Sequence, residues 1–490
     1  MLEEEDDTEV DKDIPNEGSS RKISVWSGVI LVVVLGVLSF ILYQQVNLSS
    51  LLAPMSLHYD AYTKFGIISD IHLDLQQNST SCQMWNGKYW THYQSVYGST
   101  GCDTRYNFAA ITVDSFSEML NGVGNVDLIF CLGDFVNHYT TNYVANGNLI
   151  SNTTDLFQTK LTVPIYSTIG NNDMPEDYLQ PNNASQFYEN LWERISSMMN
   201  ASSDSLAKHS ARETYVTGGY YTLEHSKNLQ IISLNSVTFS IKSNVNSSFA
   251  MQQLQWLSQV LADAKINKRA VVIIGHVCPS LSLYQISSIK SNRTMMWKEE
   301  YILKYNEIVS SFTDVIKFSL FSHHHANLWF VKEIQNQKST PSYVSYYVIP
   351  SVSPIYENEP SYAIGIVDNE WNLLDLWNYF CPLSFYARQD KKPQYLFQFS
   401  FKKTYFYYDE DDTDQTAEDI PITDAFLFNL TSRLLDVRDM QNTYKKILYN
   451  SYQFLYNFAN VSPYQMFCIM TENTVQDVKK CLADYHFMLD

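Results

Sequence analysis

The chain has 490 residues, of which 45% are hydrophobic and 17% charged, and its formal net charge is -19. This length and composition are typical of a globular protein with one or two domains and a large buried core. The acidic balance argues against the backbone of a nucleic-acid duplex as a partner, because like charges repel. Composition therefore excludes the basic nucleic-acid-binding proteins and leaves the other functional classes open.

The N-terminal part of the chain divides into three predicted segments. Residues 1–24 are acidic, have almost no apolar content and are predicted to form a disordered tail. Residues 25–43 carry no charge and are long enough for a transmembrane signal anchor. A buried globular helix is the alternative for this segment. Because Arg21 and Lys22 precede it, we expect a cytoplasmic tail and a single-pass type II membrane protein. Residues 44–62 would form a stalk.

Glycosylation sequons agree with a lumenal (lysosome-like or vacuole-like) or extracellular location for the rest of the chain. Sequons of the form N-x-S/T follow the apolar segment, and none precedes it. They begin at Asn47, Asn78, Asn152, Asn183, Asn200, Asn246, Asn292 and Asn429, and a weaker one begins at Asn460, which Pro463 follows. We therefore expect a glycoprotein.

Six of the seven cysteines could pair in such an oxidising compartment. Two pairs are close in sequence: Cys82 with Cys102, and Cys468 with Cys481. Cys131 lies in an apolar run, which predicts a buried free thiol. Cys278 and Cys381 could form a third pair, and the sequence does not decide this.

Six short apolar runs, rich in β-branched residues, predict buried strands. They are FGIISD, VDLIFCLGD, VPIYSTIGNND, LQIISLNS, AVVIIGH and IKFSLFSHHH. Helix-like stretches such as FAAITVDSFSEML and QQLQWLSQVLADAK lie between several of them. This alternation predicts an α/β or α+β layered domain. Further helix-like runs after residue 381 predict a small helical region over residues 381–490.

Five of the six runs end in Asp, Asn or His. In chain order these polar residues are Asp70, His72, Asp134, Asn171, His276, His323 and His325. Alone, each motif is more often a cap, a turn or a core histidine, but open sheets place their sites at the carboxyl ends of strands. Imidazole and carboxylate suit Zn, Mn or Fe, and two such ions can activate water for phosphoryl displacement. The joint order therefore predicts a site for two divalent metals.

This order resembles that of the calcineurin-like metallophosphoesterases, whose pattern is D-x-H, GD, GN-H-[DE], GH and G-H-x-H. Phrases such as CDTRYNFAAITVDSF, TYVTGGYYTL and IPSVSPIYENEPSYAI are similar, more narrowly, to the acid sphingomyelinase-like phosphodiesterases. The resemblance implies a four-layer sandwich of mixed β-sheets flanked by helices, with the catalytic domain over residues 63–380. In that branch, the two cysteines nearest the C-terminus are also a pair.

The resemblance also implies a role for each residue. One metal would be held by Asp70, His72 and His325, the other by Asn171, His276 and His323, and both by Asp134. The ions in this branch are typically zinc. A metal-activated water would attack phosphorus, and His138 would protonate the leaving oxygen. A loop histidine with no catalytic role is the alternative for His138.

Two residues depart from the family pattern. Asn172 stands where the pattern has a catalytic histidine, and an amide can donate a hydrogen bond but cannot act as a general acid. The resulting GNND resembles the endopolyphosphatases, whose phosphate leaving group needs less protonation. Ser322 stands where the pattern has glycine, and we expect this small residue to be tolerated.

The leading hypothesis is a membrane-anchored binuclear-metal phosphodiesterase that hydrolyses a phosphoester such as sphingomyelin or a nucleotide. The first alternative is an endopolyphosphatase or another phosphoanhydride hydrolase, with polyphosphate as substrate. The second is a metal-binding protein that keeps the fold without catalysis. Residues 44–64 contain no cysteine, so we expect no saposin-like module before the first strand.

Overall fold

The computed structural model describes residues 57–76, 82–84, 89–90, 95–140, 142–199, 205–282, 294–334, 341–406, 419–448 and 461–485. The strands are β1 (Thr63–Ile68), β2 (Leu73–Asp74), β3 (Cys82–Gln83), β4 (Tyr89–Trp90), β5 (Thr104–Arg105), β6 (Val126–Cys131), β7 (Ile165–Ser167), β8 (Tyr221–Ser226), β9 (Leu229–Ser233), β10 (Ala270–Ile274), β11 (Ile316–Phe321), β12 (Leu328–Ile334), β13 (Ser342–Val348), β14 (Ser361–Val367), β15 (Leu373–Phe380) and β16 (Leu396–Ser400). Each of the six strands predicted from the sequence is present.

Helices connect and flank these strands. They are α1 (Tyr106–Val123), α2 (Tyr143–Lys160), α3 (Ala184–Ile195), α4 (Ser205–Gly218), α5 (Ser247–Ile266), α6 (Glu299–Ser310), α7 (Leu383–Gln389), α8 (Phe401–Phe406), α9 (Asp424–Arg433), α10 (Arg438–Leu448), α11 (Pro463–Thr471) and α12 (Val475–Asp484). Short 3-10 helices span Leu57–Ala61 and Ser236–Phe239. The two predicted helix-like stretches lie within α1 and α5.

Two six-stranded mixed sheets organise the described residues. The first has the order β16-β15-β14-β1-β6-β7, and the second has the order β12-β13-β11-β10-β9-β8. Strands β1, β6 and β7 run parallel to one another, as do β9, β10, β11 and β13. The carboxyl ends of the parallel strands therefore lie along one edge of each sheet, where ligand sites form in such folds.

The two sheets pack face to face through aromatic and polar contacts. The ring of Phe65 in β1 stacks on that of Phe318 in β11, with centroids 5.2 Å apart. The hydroxyl of Tyr221 in β8 donates to the carbonyl of Ser167 in β7 over 2.9 Å. Gly66 points to the opposite face, where an added Cβ would lie 2.6 Å from Phe116 of α1. Helix α1 thus covers the outer face of the first sheet.

The C-terminal helices pack on the second sheet. Helices α9 and α11 contact β12, and the indole N–H of Trp329 in β12 donates to Thr431 Oγ1 over 2.9 Å. Strand β16 pairs with β15 and so adds the chain after residue 381 to the first sheet. The domain boundary at residues 380 and 381 stays a prediction.

The predicted membrane anchor is not supported. Its segment, residues 25–43, lies outside the described residues. Among the residues that the structure does describe, no helix combines the length and apolar character that crossing a membrane requires. The predictions of a fold with an N-terminal transmembrane helix and of a single-pass type II membrane protein are therefore corrected. What the structure supports is a mixed α/β fold of sheets and helices.

The cysteine predictions have separate outcomes. Two disulfides form, Cys82–Cys102 and Cys468–Cys481, as expected. Cys131 is a buried free thiol, which confirms the prediction. Cys278 and Cys381 are also free and buried, so the third pair does not form. Burial raises the pKa of all three thiols, which keeps them protonated and unreactive.

Phe65→Ala should destabilise the fold, because Phe65 is fully buried between the sheets and fills the space beside Gly365. We expect a loss of about 3–5 kcal/mol in the free energy of unfolding, measured by denaturant titration. Leu75→Ala is the control, since Leu75 is 47% exposed. Equal stability of the two variants would show that the contact between the sheets is not a main source of stability.

Candidate metal centre

The seven predicted ligands converge at the carboxyl ends of five strands. They are Asp70 and His72 after β1, Asp134 after β6, Asn171 after β7, His276 after β10, and His323 and His325 after β11. Five of them have a left-handed backbone: Asp70, His72, Asp134, His323 and His325 have φ values of 50°, 46°, 54°, 71° and 52°. Non-glycine residues rarely adopt this conformation, and such strain clusters at functional sites.

The carboxylate of Asp70 lies among three imidazoles. Its Oδ1 is 3.3 Å from His325 Nε2, 3.8 Å from His72 Nε2 and 3.9 Å from His276 Nε2. Asp70 is fully buried, and its Oδ1 has no hydrogen-bond partner among the described residues. An orphaned buried carboxylate oxygen is costly unless a cation neutralises it. The donor set of oxygen and imidazole nitrogen fits a divalent metal.

The carboxylate of Asp134 joins this cluster to a second one. Its Oδ2 is 3.1 Å from His276 Nε2 and 3.4 Å from His72 Nε2. Asp134 groups with Asp70 and His72 on one side, and with His276 and His323 on the other, with ligand atoms close enough to share an ion in each group. Two adjacent cation positions that share one carboxylate account for this arrangement.

Hydrogen bonds outside the centre orient its ligands. The Nδ1 of His72 donates to the carbonyl of Val136, and that of His276 to the carbonyl of Leu132, both over 2.8 Å. Each ring therefore presents Nε2 to the centre. The amide N–H of Asn171 donates to Asp177 Oδ1 over 2.7 Å, and Asn171 Oδ1 faces His276 Nε2 at 3.1 Å.

Electrostatics at the centre favour a cation. Burial alone would lower the pKa of His72. The negative charges of nearby carboxylates, chiefly Asp134 and Asp70, outweigh this effect and raise the pKa to about 10. At His276, the carboxylates of Asp134 and Asp70 again outweigh the effect of burial and raise the pKa to about 9. At His72 and His276 positive charge is thus drawn to the centre, as a proton or as a metal ion. Burial instead lowers the pKa of His323 and His325, which keeps these two rings neutral and able to bind a metal.

Asp173, which the sequence did not identify as a functional residue, holds the loop around Asp134 in place. Asp173 is buried, and its carboxylate accepts hydrogen bonds from the backbone N–H groups of Asp134, Phe135 and Gly170 over 3.0, 2.7 and 2.9 Å. Asp173 is the last residue of the GNND motif, and this position is the sequence feature that could have identified it. It holds the two ligand-bearing loops together.

Asn172 contacts both oxygens of the Asp134 carboxylate. Asn172 donates its backbone N–H to Asp134 Oδ1 over 2.8 Å and its side-chain N–H to Asp134 Oδ2 over 2.9 Å. The side chain therefore fastens the shared carboxylate. Ser322 is buried and donates to the carbonyl of Leu132, so it fits where the family pattern has glycine. His324 contacts Ser280 instead of the centre.

His138 lies at the mouth of the centre and is held by Asp103. Its ring stacks on that of His72 with centroids 4.1 Å apart, and its Nδ1 lies 3.0 Å from Asp103 Oδ1. Tyr356 Oη is 3.3 Å from its Nε2. The sequence analysis missed Asp103 and Tyr356, although both lie in phrases that carry the family resemblance.

A cavity of about 270 Å³ opens beside these residues. Its wall includes Asp134, His138, Asn172, His323 and His325. Four of the candidate ligands, Asp134, Asn171, His323 and His325, therefore share with His138 and Asn172 one space that a small substrate could enter.

A protein-family comparison places this chain in a known family. Residues 63–327, more than half of the chain, match the family described as "Calcineurin-like phosphoesterase". The chain belongs to the calcineurin-like phosphoesterase family. The resemblance inferred from the sequence is thereby confirmed.

Proteins named as sphingomyelin phosphodiesterases are similar in sequence to this chain. The chain is 27% identical over 292 residues to "Sphingomyelinase phosphodiesterase D" of Dictyostelium discoideum, covering 58% of this chain and 62% of that protein. It is 23% identical over 309 residues to "Sphingomyelin phosphodiesterase 1" of Caenorhabditis elegans, covering 61% and 51%. The chain thus spans only part of the length of these relatives. A solved structure of a dimetal phosphatase from Danio rerio aligns with a TM-score of 0.40 and 13% identity, over 65% of this chain and 96% of that one.

Gly170→Ala should disrupt the centre. An added Cβ would lie 2.0 Å from Asp134 Oδ1 and 2.4 Å from Asp134 N, so the shared carboxylate must move. We expect zinc affinity, measured by competition with a chelator, to fall roughly 10-fold or more. Gly122→Ala is the matched control, because a Cβ there meets nothing within 4 Å. Retained affinity in Gly170→Ala would contradict the placement of Asp134 as a ligand.

Proposed function

We propose that the chain is a phosphodiesterase that uses two divalent metal ions, zinc by the family resemblance, to hydrolyse a phosphoester. The observation that carries the proposal is the buried carboxylate of Asp134, which two clusters of candidate ligands share. Family membership and the sphingomyelin phosphodiesterase relatives support the class of reaction and a substrate class that includes sphingomyelin.

Each candidate ligand has a proposed role. One ion would be held by Asp70, His72 and His325, and the other by Asn171, His276 and His323, with Asp134 between them. When bound, the ions would activate a water molecule and neutralise charge on the phosphoryl oxygens. Asn172 would keep the carboxylate of Asp134 in place through its two hydrogen bonds.

His138 is the proposed proton donor to the leaving oxygen. Asp103 binds its Nδ1, so Nε2, which lies 3.3 Å from the hydroxyl of Tyr356, is the nitrogen that would exchange a proton with a substrate in the cavity. Because Asp103 already holds the ring of His138, this side chain loses little conformational freedom when the transition state forms. The amide of Asn172 supplies no proton, so the reaction depends on this single histidine among the described residues.

Asp134→Asn tests the proposal directly. The full chain, loaded with zinc, should hydrolyse bis(p-nitrophenyl) phosphate between pH 4 and 8, and the variant should lose turnover and part of its metal, because the shared carboxylate is gone. Metal content is measured by elemental analysis on the same samples. Asp155→Asn is the control, because it makes the same chemical change at an exposed residue of α2. Full activity in Asp134→Asn would remove the two-metal mechanism, whereas a folded, zinc-loaded wild type without turnover would favour a binding protein.

His138→Gln should lower turnover by roughly 100-fold, because glutamine keeps a polar group at this place but cannot donate a proton as an acid. Metal content should stay unchanged, which separates a proton donor from a ligand. His209→Gln is the control, since His209 is 67% exposed on α4. A variant that turns over at nearly the wild-type rate would make His138 a bystander, and one that loses metal would make it a ligand.

A further inference from the structure

A second cleft, of about 390 Å³, is formed by helices α4 and α5. We call it the glutamine cleft, because Gln252, Gln255 and Gln259 of α5 line it together with two threonines, two aromatic residues and one glutamate. None of its described lining residues also lines the cavity at the metal centre. Its volume lies within the range of about 300–1,000 Å³ that is usual for sites of small ligands.

The face of α5 that lines this cleft carries no charge. Gln252, Gln255, Trp256 and Gln259 have the spacing that places side chains on one side of a helix, and the opposite side is buried. The helix has no charged residue before Asp263. The solvent side of a helix usually carries charged residues. An uncharged face can instead be covered by a neutral ligand without the cost of removing charges from water.

The three glutamine amides of the cleft are available to a ligand. All three are exposed, and their side chains make no hydrogen bond with any residue that the structure describes. The neighbouring Gln253 differs, since its buried amide accepts from the N–H of Asn235 over 2.9 Å and donates to the carbonyl of Asn235 over 3.2 Å. Each available amide offers one acceptor oxygen and two N–H donors, which match the hydroxyl groups of a ligand.

An aromatic pair adds a flat apolar surface to these amides. The rings of Tyr220 and Trp256 have centroids 4.6 Å apart, and Tyr220 is only 4% exposed, so it holds the indole in place. Trp256 is half-buried, and part of its ring remains at the cleft. The face of an aromatic ring carries negative partial charge. It attracts the C–H groups of a sugar ring, which carry positive partial charge.

The charge of the cleft disfavours anionic ligands. Glu213 is the one charged residue among the described residues that line it, in a chain whose net charge is -19. Phosphate, sulfate and carboxylate groups would therefore be repelled. The hydroxyl of Thr217 donates to the carbonyl of Glu213 over 2.8 Å, and its oxygen can still accept a hydrogen bond. The ligand that fits is neutral, rich in hydroxyl groups and apolar on one ring face.

We infer that the glutamine cleft binds a neutral oligosaccharide. One sugar ring would lie against Trp256, and its hydroxyl groups would exchange hydrogen bonds with the three glutamines. The inference goes beyond the proposed function, because it needs no reaction at the metal centre. The sugar could belong to another molecule or to an N-linked glycan of this chain. Asn246, which caps α5 and begins a sequon, is one position for such a glycan.

Calorimetric titration of the full chain with chitotetraose and with mannotetraose tests the inference. We expect one of these neutral sugars to bind, and an anionic heparin tetrasaccharide not to bind. Trp256→Ala should weaken binding roughly 10-fold or more, because the ring against which the sugar packs is lost. Trp256→Phe keeps an aromatic face and should restore most of the affinity. Gln255→Ala should weaken binding roughly 3- to 10-fold through lost hydrogen bonds.

Two variants elsewhere on the surface are matched controls. Phe385→Ala removes an exposed ring from α7, and Gln186→Ala removes an exposed amide from α3. Both should bind the sugar with the affinity of wild type. Circular dichroism and thermal unfolding check the fold of Trp256→Ala. If that variant does not fold, Gln255→Ala decides, since its exposed side chain has no hydrogen bond to lose among the described residues.

Titrations before and after enzymatic removal of N-linked glycans distinguish the two sources of the sugar. Binding by the untreated protein supports a sugar on another molecule, and binding that appears only after removal supports the chain's own glycan. No binding in either sample, tighter binding of the heparin tetrasaccharide, or equal affinity in Trp256→Ala and wild type would overturn the inference. Self-association that Trp256→Ala abolishes, without binding of either sugar, would make the cleft a protein interface instead. None of these outcomes bears on hydrolysis at the metal centre.

Discussion

The burial of two carboxylates at one point is the constraint on which the rest of the site depends. Asp70 and Asp134 are almost completely buried, and Asp70 Oδ1 has no hydrogen-bond partner among the described residues. Such charges are tolerated only when cations or cationic rings compensate them. The surrounding imidazoles and the metal ions that they would hold provide that compensation, so the fold and the binding of metal stabilise each other.

Close packing around these carboxylates explains why small residues and left-handed turns surround them. Gly133 has φ 89°, and a Cβ there would lie 2.6 Å from Gly170 N. Asp173 then fastens the two loops by accepting their backbone N–H groups. The centre is therefore built by the ends of strands that pair within each sheet, and by the contact between the two sheets. A change in any of these moves a ligand.

The cavity brings further polar and charged side chains next to the candidate metal centre. On one side, His138 is held by Asp103 and faces the space that a leaving group would occupy. On another side, Lys242 rests on Tyr178, whose hydroxyl contacts His323. Of these groups, His138 would serve the bond that breaks.

The sequence by itself determined six of the strands, the order of polar residues at their ends and two disulfides, because periodicity and spacing are local. Asp70 and His72 both lie beyond β1 with left-handed backbones, so the period of the strand does not decide where they point. Tertiary structure alone decided which further residues meet the predicted ligands. The contacts of Asp103 with His138 and of Tyr178 with Lys242 depend on how the loops fold over the strand ends, and no local pattern encodes that.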